Sequence, residues 1–157
     1  MSSVIVMTSG KGGTGKTSVT GGVGAALALM GRTVLCLDAD VGLRNLDITL
    51  GMADTALMDF SDVMAGRCPL ERAVAAHPSI PRLSLLTAPL DLPEDFSGEE
   101  GFRALLDEAR TMFDYVLIDS PAGLGTGSRL AACGADRAVV VTVSDPSSLR
   151  DAQRVVA

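Results

Sequence analysis

Positive charge is in the minority in this sequence. Lys and Arg number 13 against 19 Asp and Glu, for a formal charge of -6 and a pI near 4.6. The basic footprint of a nucleic-acid-binding face is missing, so nucleic acid is not an expected partner. Cysteine is scarce: Cys36, Cys68 and Cys133 are odd in number, widely spread and never in a metal-type pair. They read as reduced thiols, with Cys36 acting as a small hydrophobe inside an apolar run. His77, the sole histidine, precedes Pro78 in a loop and reads as surface, not as a catalytic or metal-binding group. No segment approaches the roughly 20 apolar residues of a membrane span, and "MSSVIVMTSGKGG" lacks a charged n-region. Internal repeats and low-complexity stretches are also absent. The expectation is a soluble, cytoplasmic chain with one domain over residues 1–157, because 157 residues at 47% apolar content supply one sizeable core.

Within that frame, β-rich and helical patterns alternate. Five short runs are apolar nearly throughout: "VIVM" from Val4, "TVLCLD" from Thr33, "LSLL" from Leu83, "YVLID" from Tyr115 and "AVVVTV" from Ala138. Runs without strict alternation suit parallel strands covered on both faces. After the first run, Val19, Val23, Ala26, Leu27 and Met30 recur at helical spacing, with Gly31 as the stop. Gly21, Gly22 and Gly24 interrupt that helix, which implies close backbone packing on the sheet. Leu57, Phe60 and Met64 mark a short helix ending near Gly66, and Pro69 starts another through Val74. Ser97 and Glu100 form a capping-box pattern ahead of Phe102, Leu105, Leu106, Ala109 and Met112. A last helix begins in "DPSSLRDAQRVVA", with Leu149, Ala152 and Val156 on one side. The alternation predicts an α/β fold: an open, mostly parallel sheet flanked by helices on both faces, with ligands outside the carboxyl ends of the strands.

The most specific chemical signal is "TSGKGGTGKTS", Thr8 to Ser18. Gly10 to Thr17 fits the phosphate-loop pattern, between a predicted strand and a predicted helix. Such a loop turns consecutive backbone N–H groups inward, and the helix start adds its partial positive charge. Gly10, Gly12, Gly13 and Gly15 permit the curvature around Lys11 and Thr14. Lys16 would reach the β- and γ-phosphate oxygens, the Thr17 hydroxyl would ligate Mg²⁺, and Ser18 lies near enough to assist at the α-phosphate. Acidic residues end two other apolar runs: Asp38 and Asp40 in "LCLDAD", and Asp119 in "YVLIDSPAG". After a phosphate loop, these are positions where magnesium and attacking water are organised, with Asp119 holding the ion through water.

The early lysine in "GKGGTGKT" resembles the deviant Walker A loop of the MinD/ParA family of dimeric ATPases. "DADVGLRNLDITLG" from Asp38, "DYVLIDSPAGLGTG" from Asp114 and "GADRAVVVTVSDPSSLRDAQRV" from Gly134 extend the resemblance over essentially the whole chain, nearest to the septum-site-determining members. The resemblance implies a P-loop NTPase of the SIMIBI type that hydrolyses ATP to ADP and phosphate with Mg²⁺. It further implies an ATP-dependent homodimer in which Lys11 reaches phosphates bound by the partner, as an arginine finger does. Asp40 matches the position that orients the attacking water, and Asp38 takes a magnesium or structural role in the same switch. Gly123 matches a second switch that senses the γ-phosphate. Arg44, Asn45, Asp47 and Asp151 match segments used for dimer and regulator surfaces.

Family members continue for about another hundred residues, whereas this chain stops inside a helix after five predicted strands. The expectation is a domain incomplete at its C-terminus, without the family's membrane-binding C-terminal helix, and with "AVVVTV" as an exposed sheet edge. Full-length members would lie peripherally on the inner face of the cell membrane. The expected role is spatial regulation of cell division together with Min-type regulator proteins. Two alternatives are another positioning ATPase of the family, for flagella, plasmids or chromosomes, and a nucleotide-binding module with little turnover.

Overall fold

The computed structural model describes residues 1–157. Six strands form one sheet: β1 (Ser3–Thr8), β2 (Val34–Asp38), β3 (Ala75–Ala76), β4 (Leu83–Leu86), β5 (Tyr115–Asp119) and β6 (Arg137–Val140). Their order is β3-β4-β2-β5-β1-β6. All neighbours are parallel except β3, which runs antiparallel to β4. The five apolar runs are therefore strands, as expected. The sixth, β3, was not anticipated, because two alanines carry no periodic signal. The last strand also ends at Val140 and does not extend through "VTV". The register aligns Met7, Asp38 and Asp119 across three neighbouring strands, so two carboxylates emerge side by side at one end of the sheet.

Helices cover both faces. On one, α1 (Lys16–Leu29) and α2 (Leu46–Thr49) lie over Met7, Val34, Cys36, Leu85 and Leu117. On the other lie α3 (Phe60–Met64), α4 (Leu70–Ala73), α5 (Gly98–Arg110) and α6 (Thr126–Ala132), around a core containing Phe60 and Phe102. Those two rings meet edge to face, with centroids 5.7 Å apart. The final helix, α7 (Pro146–Val156), starts after the edge strand β6. That strand lies at the sheet edge, and its Arg137, Ala138 and Val139 are exposed.

The glycines of α1 act individually. A Cβ on Gly24 would come within 2.5 Å of the buried Cys36 Sγ, and one on Gly21 within 3.1 Å of Thr49 Cγ2, whereas Gly22 faces open space. Close packing thus explains two of the three. The capping box expected at Ser97 does not form: its side chain caps no N–H, and α5 opens through Gly98 at φ +67°. A reciprocal box forms at α3 instead. Asp59 accepts from the Ser61 and Asp62 N–H groups, and the Asp62 carboxylate accepts from the Asp59 N–H. His77 serves a local structural purpose. Its Nδ1 accepts from the Ser79 and Ile80 N–H groups, so Nε2, 2.9 Å from the Leu50 carbonyl, is the nitrogen that donates.

Candidate nucleotide site

β1 ends at Thr8, and the chain turns through Gly13 at φ +76° and Gly15 at φ +91° before α1 begins at Lys16. No side chain caps the start of α1, which leaves its first-turn N–H groups available to an anion. The loop borders a cavity of about 510 Å³, lined by residues 12 to 18 with Ser9, Asp40, Leu43, Asn45, Pro121 and Ala122.

Inside this site Lys16 and Asp119 form a buried pair, with Nζ 2.9 Å from Oδ1 and side-chain exposures of 9% and 2%. The Thr17 hydroxyl donates to the other Asp119 oxygen at 2.7 Å. One helical turn further, Thr20 donates to the Lys16 carbonyl at 2.8 Å and approaches Asp119 Oδ1 at 3.5 Å. The strand-end acid thus holds both the lysine and the hydroxyl of the loop. A hydroxyl beside a carboxylate is a hard-oxygen donor set that suits Mg²⁺, an ion that completes its shell with water and substrate phosphates. No cluster of three His, Cys, Asp or Glu side chains forms an all-protein metal cage.

Asp38, only 1% exposed, is placed differently. Its two oxygens accept from the Asp40 N–H at 2.9 Å and the Leu46 N–H at 3.2 Å. It therefore ties down both ends of the loop that carries Asp40. Burial, aided by the charges of Asp119 and Asp40, pushes its carboxyl up to about 6 against the two backbone bonds. Asp40 is half-buried at the cavity wall. Burial also raises its carboxyl, with Asp119 adding to the shift and the nearby Lys16 charge opposing it.

The remaining predicted residues surround this centre. Gly10 is pressed against α7, where an added Cβ would collide with the Asp151 carbonyl carbon. Lys11 Nζ lies 3.7 Å from Asp145, the residue that caps α7 by accepting from the Ser148 N–H. Gly123, at φ +91°, donates its N–H to the Ser9 carbonyl and so ties the loop after β5 to the glycine loop. Asn45 lines the cavity, whereas Arg44, Asp47 and Asp151 do not. Arg44 is held at φ +48° with a buried Nε that has no partner. Asp47 accepts from the Ile48 N–H, and Asp151 pairs with Arg154. Sequence reasoning missed Ser9, whose hydroxyl donates to the Lys11 carbonyl, and Thr20. The signal for Thr20 was its position four residues after Lys16, on the same helical face.

Known proteins resemble this chain along nearly its whole length. A family model described as an AAA domain matches residues 2–156. The septum site-determining protein MinD of Synechocystis sp. is 42% identical over 156 residues, which cover 99% of this chain and 59% of that protein. Among solved structures, the MinC:MinD cell division protein complex of Aquifex aeolicus is similar at a TM-score of 0.88 and 41% identity, over 99% of this chain and 62% of that one. MinD of Pyrococcus horikoshii complexed with Mg-ADP gives 0.86 and 32%, over 99% and 64%. This chain spans about three fifths of the length of the curated relatives it matches. With a phosphate loop completed by a strand-end acid in a mostly parallel sheet, and with these matches along its length, the chain belongs to the AAA domain family, in the MinD/ParA group of P-loop ATPases.

Proposed function

We propose that this chain binds Mg-ATP at Gly10–Ser18 and serves as the nucleotide-handling part of a MinD-like ATPase that regulates division-site placement. The observation that carries the reading is the buried Lys16–Asp119–Thr17 cluster at the mouth of the glycine loop, beside Asp40. The loop N–H groups, from Gly10, Lys11, Gly12, Gly13, Thr14, Gly15 and the start of α1, cradle the phosphates. Lys16 exchanges Asp119 for β- and γ-phosphate oxygens, and Ser18 borders the α-phosphate. Thr17 would ligate Mg²⁺ and Asp119 would hold it through water, with Asp38 supporting that corner; bound there, the ion would supply positive charge against the phosphates. Asp40 accepts a hydrogen bond from the attacking water. The water oxygen bonds to the γ-phosphorus as the bond to the β–γ bridging oxygen breaks, which yields ADP and phosphate.

Lys11 is the cross-subunit group in this reading. ATP draws two copies together, and each Lys11 leaves Asp145 for the phosphates bound by the other copy. Gly123 and the loop around it report the γ-phosphate through the bond to Ser9. The ATP-bound dimer is the form that engages Min-type regulators, through surfaces that include Arg44, Asn45, Asp47 and Asp151. None of the helices is long and apolar enough to cross a membrane. Membrane contact in this proposal belongs to a C-terminal helix of the kind found in full-length family members, with the protein otherwise cytoplasmic.

The test combines nucleotide binding and phosphate release by the purified chain with Mg²⁺. Binding together with release that drops in Asp40→Ala supports an ATPase. Tight binding with release no faster than in Asp40→Ala leaves a binding module, and no nucleotide binding at all refutes both.

A further inference from the structure

A second cavity, of about 400 Å³, shares Asp40 and Pro121 with the first. Val41, Leu92, Phe96, Pro121 and Leu130 supply its apolar wall, and Asp40 and Glu99 its acidic groups. It spans the loop after β2, the loop after β5 and the first turns of α6, the same two loops that border the phosphate cavity. The nucleotide chemistry above uses none of its apolar residues.

The segment that borders it is mostly acidic. Residues 88–103 include five acidic side chains and one basic, Arg103, and Glu99 joins Asp40 in the lining itself. Asp95 is paired with Arg67 at 3.1 Å, but Asp91, Glu94, Glu99 and Glu100 are exposed and make no ion pair. The nearby Arg129 lines a different cavity, with Val6 and Ala138. Such a rim repels phosphates and carboxylates and attracts ammonium and guanidinium groups. The pocket beneath it needs an apolar anchor: Leu92 remains 46% exposed beside Phe96, and exposed apolar surface bounded by polar residues is a mark of an interaction site.

We propose that this cavity is a docking surface for a basic segment of a second protein, which buries an apolar side chain between Leu92 and Leu130 and sets flanking Lys or Arg residues on the Asp91–Glu100 rim. The occupant bridges the loop of Asp40 and the loop of Pro121, so the surface adjoins the nucleotide site without overlapping the phosphate cradle.

The probe is a short fluorescein-labelled peptide of leucine and lysine in helical spacing, followed by anisotropy on the nucleotide-free chain. A matched peptide with serine for leucine, and another with glutamate for lysine, are the comparisons. Saturable binding of the Leu/Lys peptide is expected. Losing the Leu92 anchor in Leu92→Ser, or filling the pocket in Thr126→Trp, should weaken it at least ~5-fold. Glu94→Gln combined with Glu99→Gln should reduce its salt dependence. MgADP affinity, measured separately, should be unchanged in Leu92→Ser and Thr126→Trp, which verifies their folding. Equal binding of the serine peptide, or indifference to both pocket variants, overturns the proposal. So does a loss of self-association by Leu92→Ser in light scattering, because a second copy would then be the occupant. Failure of the wild-type chain to bind MgADP counts against the proposed function and leaves the peptide result standing.

Discussion

The buried Lys16–Asp119 pair gives a test of what holds the site together. Asp119→Ala leaves Lys16 with 9% side-chain exposure and no counter-charge, and takes the acceptor from Thr17 at 2.7 Å. Losing one partner of a buried ion pair costs about 3–5 kcal/mol, mostly because the remaining charge is stranded. For a chain of this size each kcal/mol shifts the midpoint by about 2–4 °C, so Asp119→Ala should melt roughly 6–20 °C lower. Asp119→Asn retains an acceptor for Thr17 and should fall between that variant and wild type. The pair itself is less valuable than its breakage suggests, because desolvation offsets the attraction. Lys16→Met with Asp119→Leu should therefore recover at least ~1 kcal/mol relative to the sum of the single changes. With no Trp and one Tyr in the chain, far-UV circular dichroism is the suitable probe, in thermal melts for the midpoint and in urea titrations for the free energies. Additive single and double changes, or an Asp119→Ala variant within ~0.5 kcal/mol of wild type, would refute the reasoning.

The two kinds of glycine in α1 should respond oppositely. Gly22→Ala, in open space, should stabilise by up to ~1 kcal/mol, while Gly24→Ala should destabilise by about 1–3 kcal/mol through the clash with Cys36; Cys36→Ala should rescue the latter in urea titrations. Asp38 has a folded-state carboxyl near 6, raised from 3.8, so the folded chain holds its proton more tightly than the unfolded one. Its contribution to stability is present in full below pH ~4 and is lost as the pH rises through ~6. Urea midpoints of wild type and Asp38→Asn should thus diverge across that window and run parallel above it; parallel curves throughout would remove the titration from Asp38. Lys11→Ala should suppress ATP-dependent dimerisation in light scattering and leave nucleotide binding by the single chain largely intact, since Lys11 lies 3.7 Å from Asp145, outside the Lys16–Asp119–Thr17 cluster.

What could be read in advance was the part of the fold governed by local pattern. Parallel strands buried on both faces announce themselves as continuous apolar runs, and the glycine loop announces the site because its backbone geometry restricts residue choice. What escaped depended on longer-range contact or on chemistry outside the usual pattern. α6 lies in "GTGSRLAACG", where glycine and short side chains hide the period. β3 is two alanines whose only claim to strand structure is the edge of β4. The capping box was expected at Ser97 because Glu100 follows at the right spacing, yet a glycine in the left-handed region opens that helix. Asp59 and Asp62 achieve the reciprocal geometry with a shorter acid. Residue types and spacing select a set of candidates for a cap; the entry path of the chain decides among them.

Asp38 shows the same limit inside the site. Its sequence position leaves magnesium and structural roles open, since both favour a carboxylate at the end of a strand. Only its two bonds, to Asp40 N–H and Leu46 N–H, reveal which backbone it holds. A carboxylate with both oxygens engaged by the loop is a poor candidate for a direct metal bond unless the loop is released. It is well suited to fix the direction in which Asp40 projects. By contrast Asp119 spends its oxygens on the Lys16 ammonium and the Thr17 hydroxyl, two groups that an incoming phosphate and cation can relieve. The two neighbouring acids thus divide the work: Asp38 anchors the loop that carries Asp40 through two backbone bonds, and Asp119 balances the charge of Lys16 and accepts from Thr17.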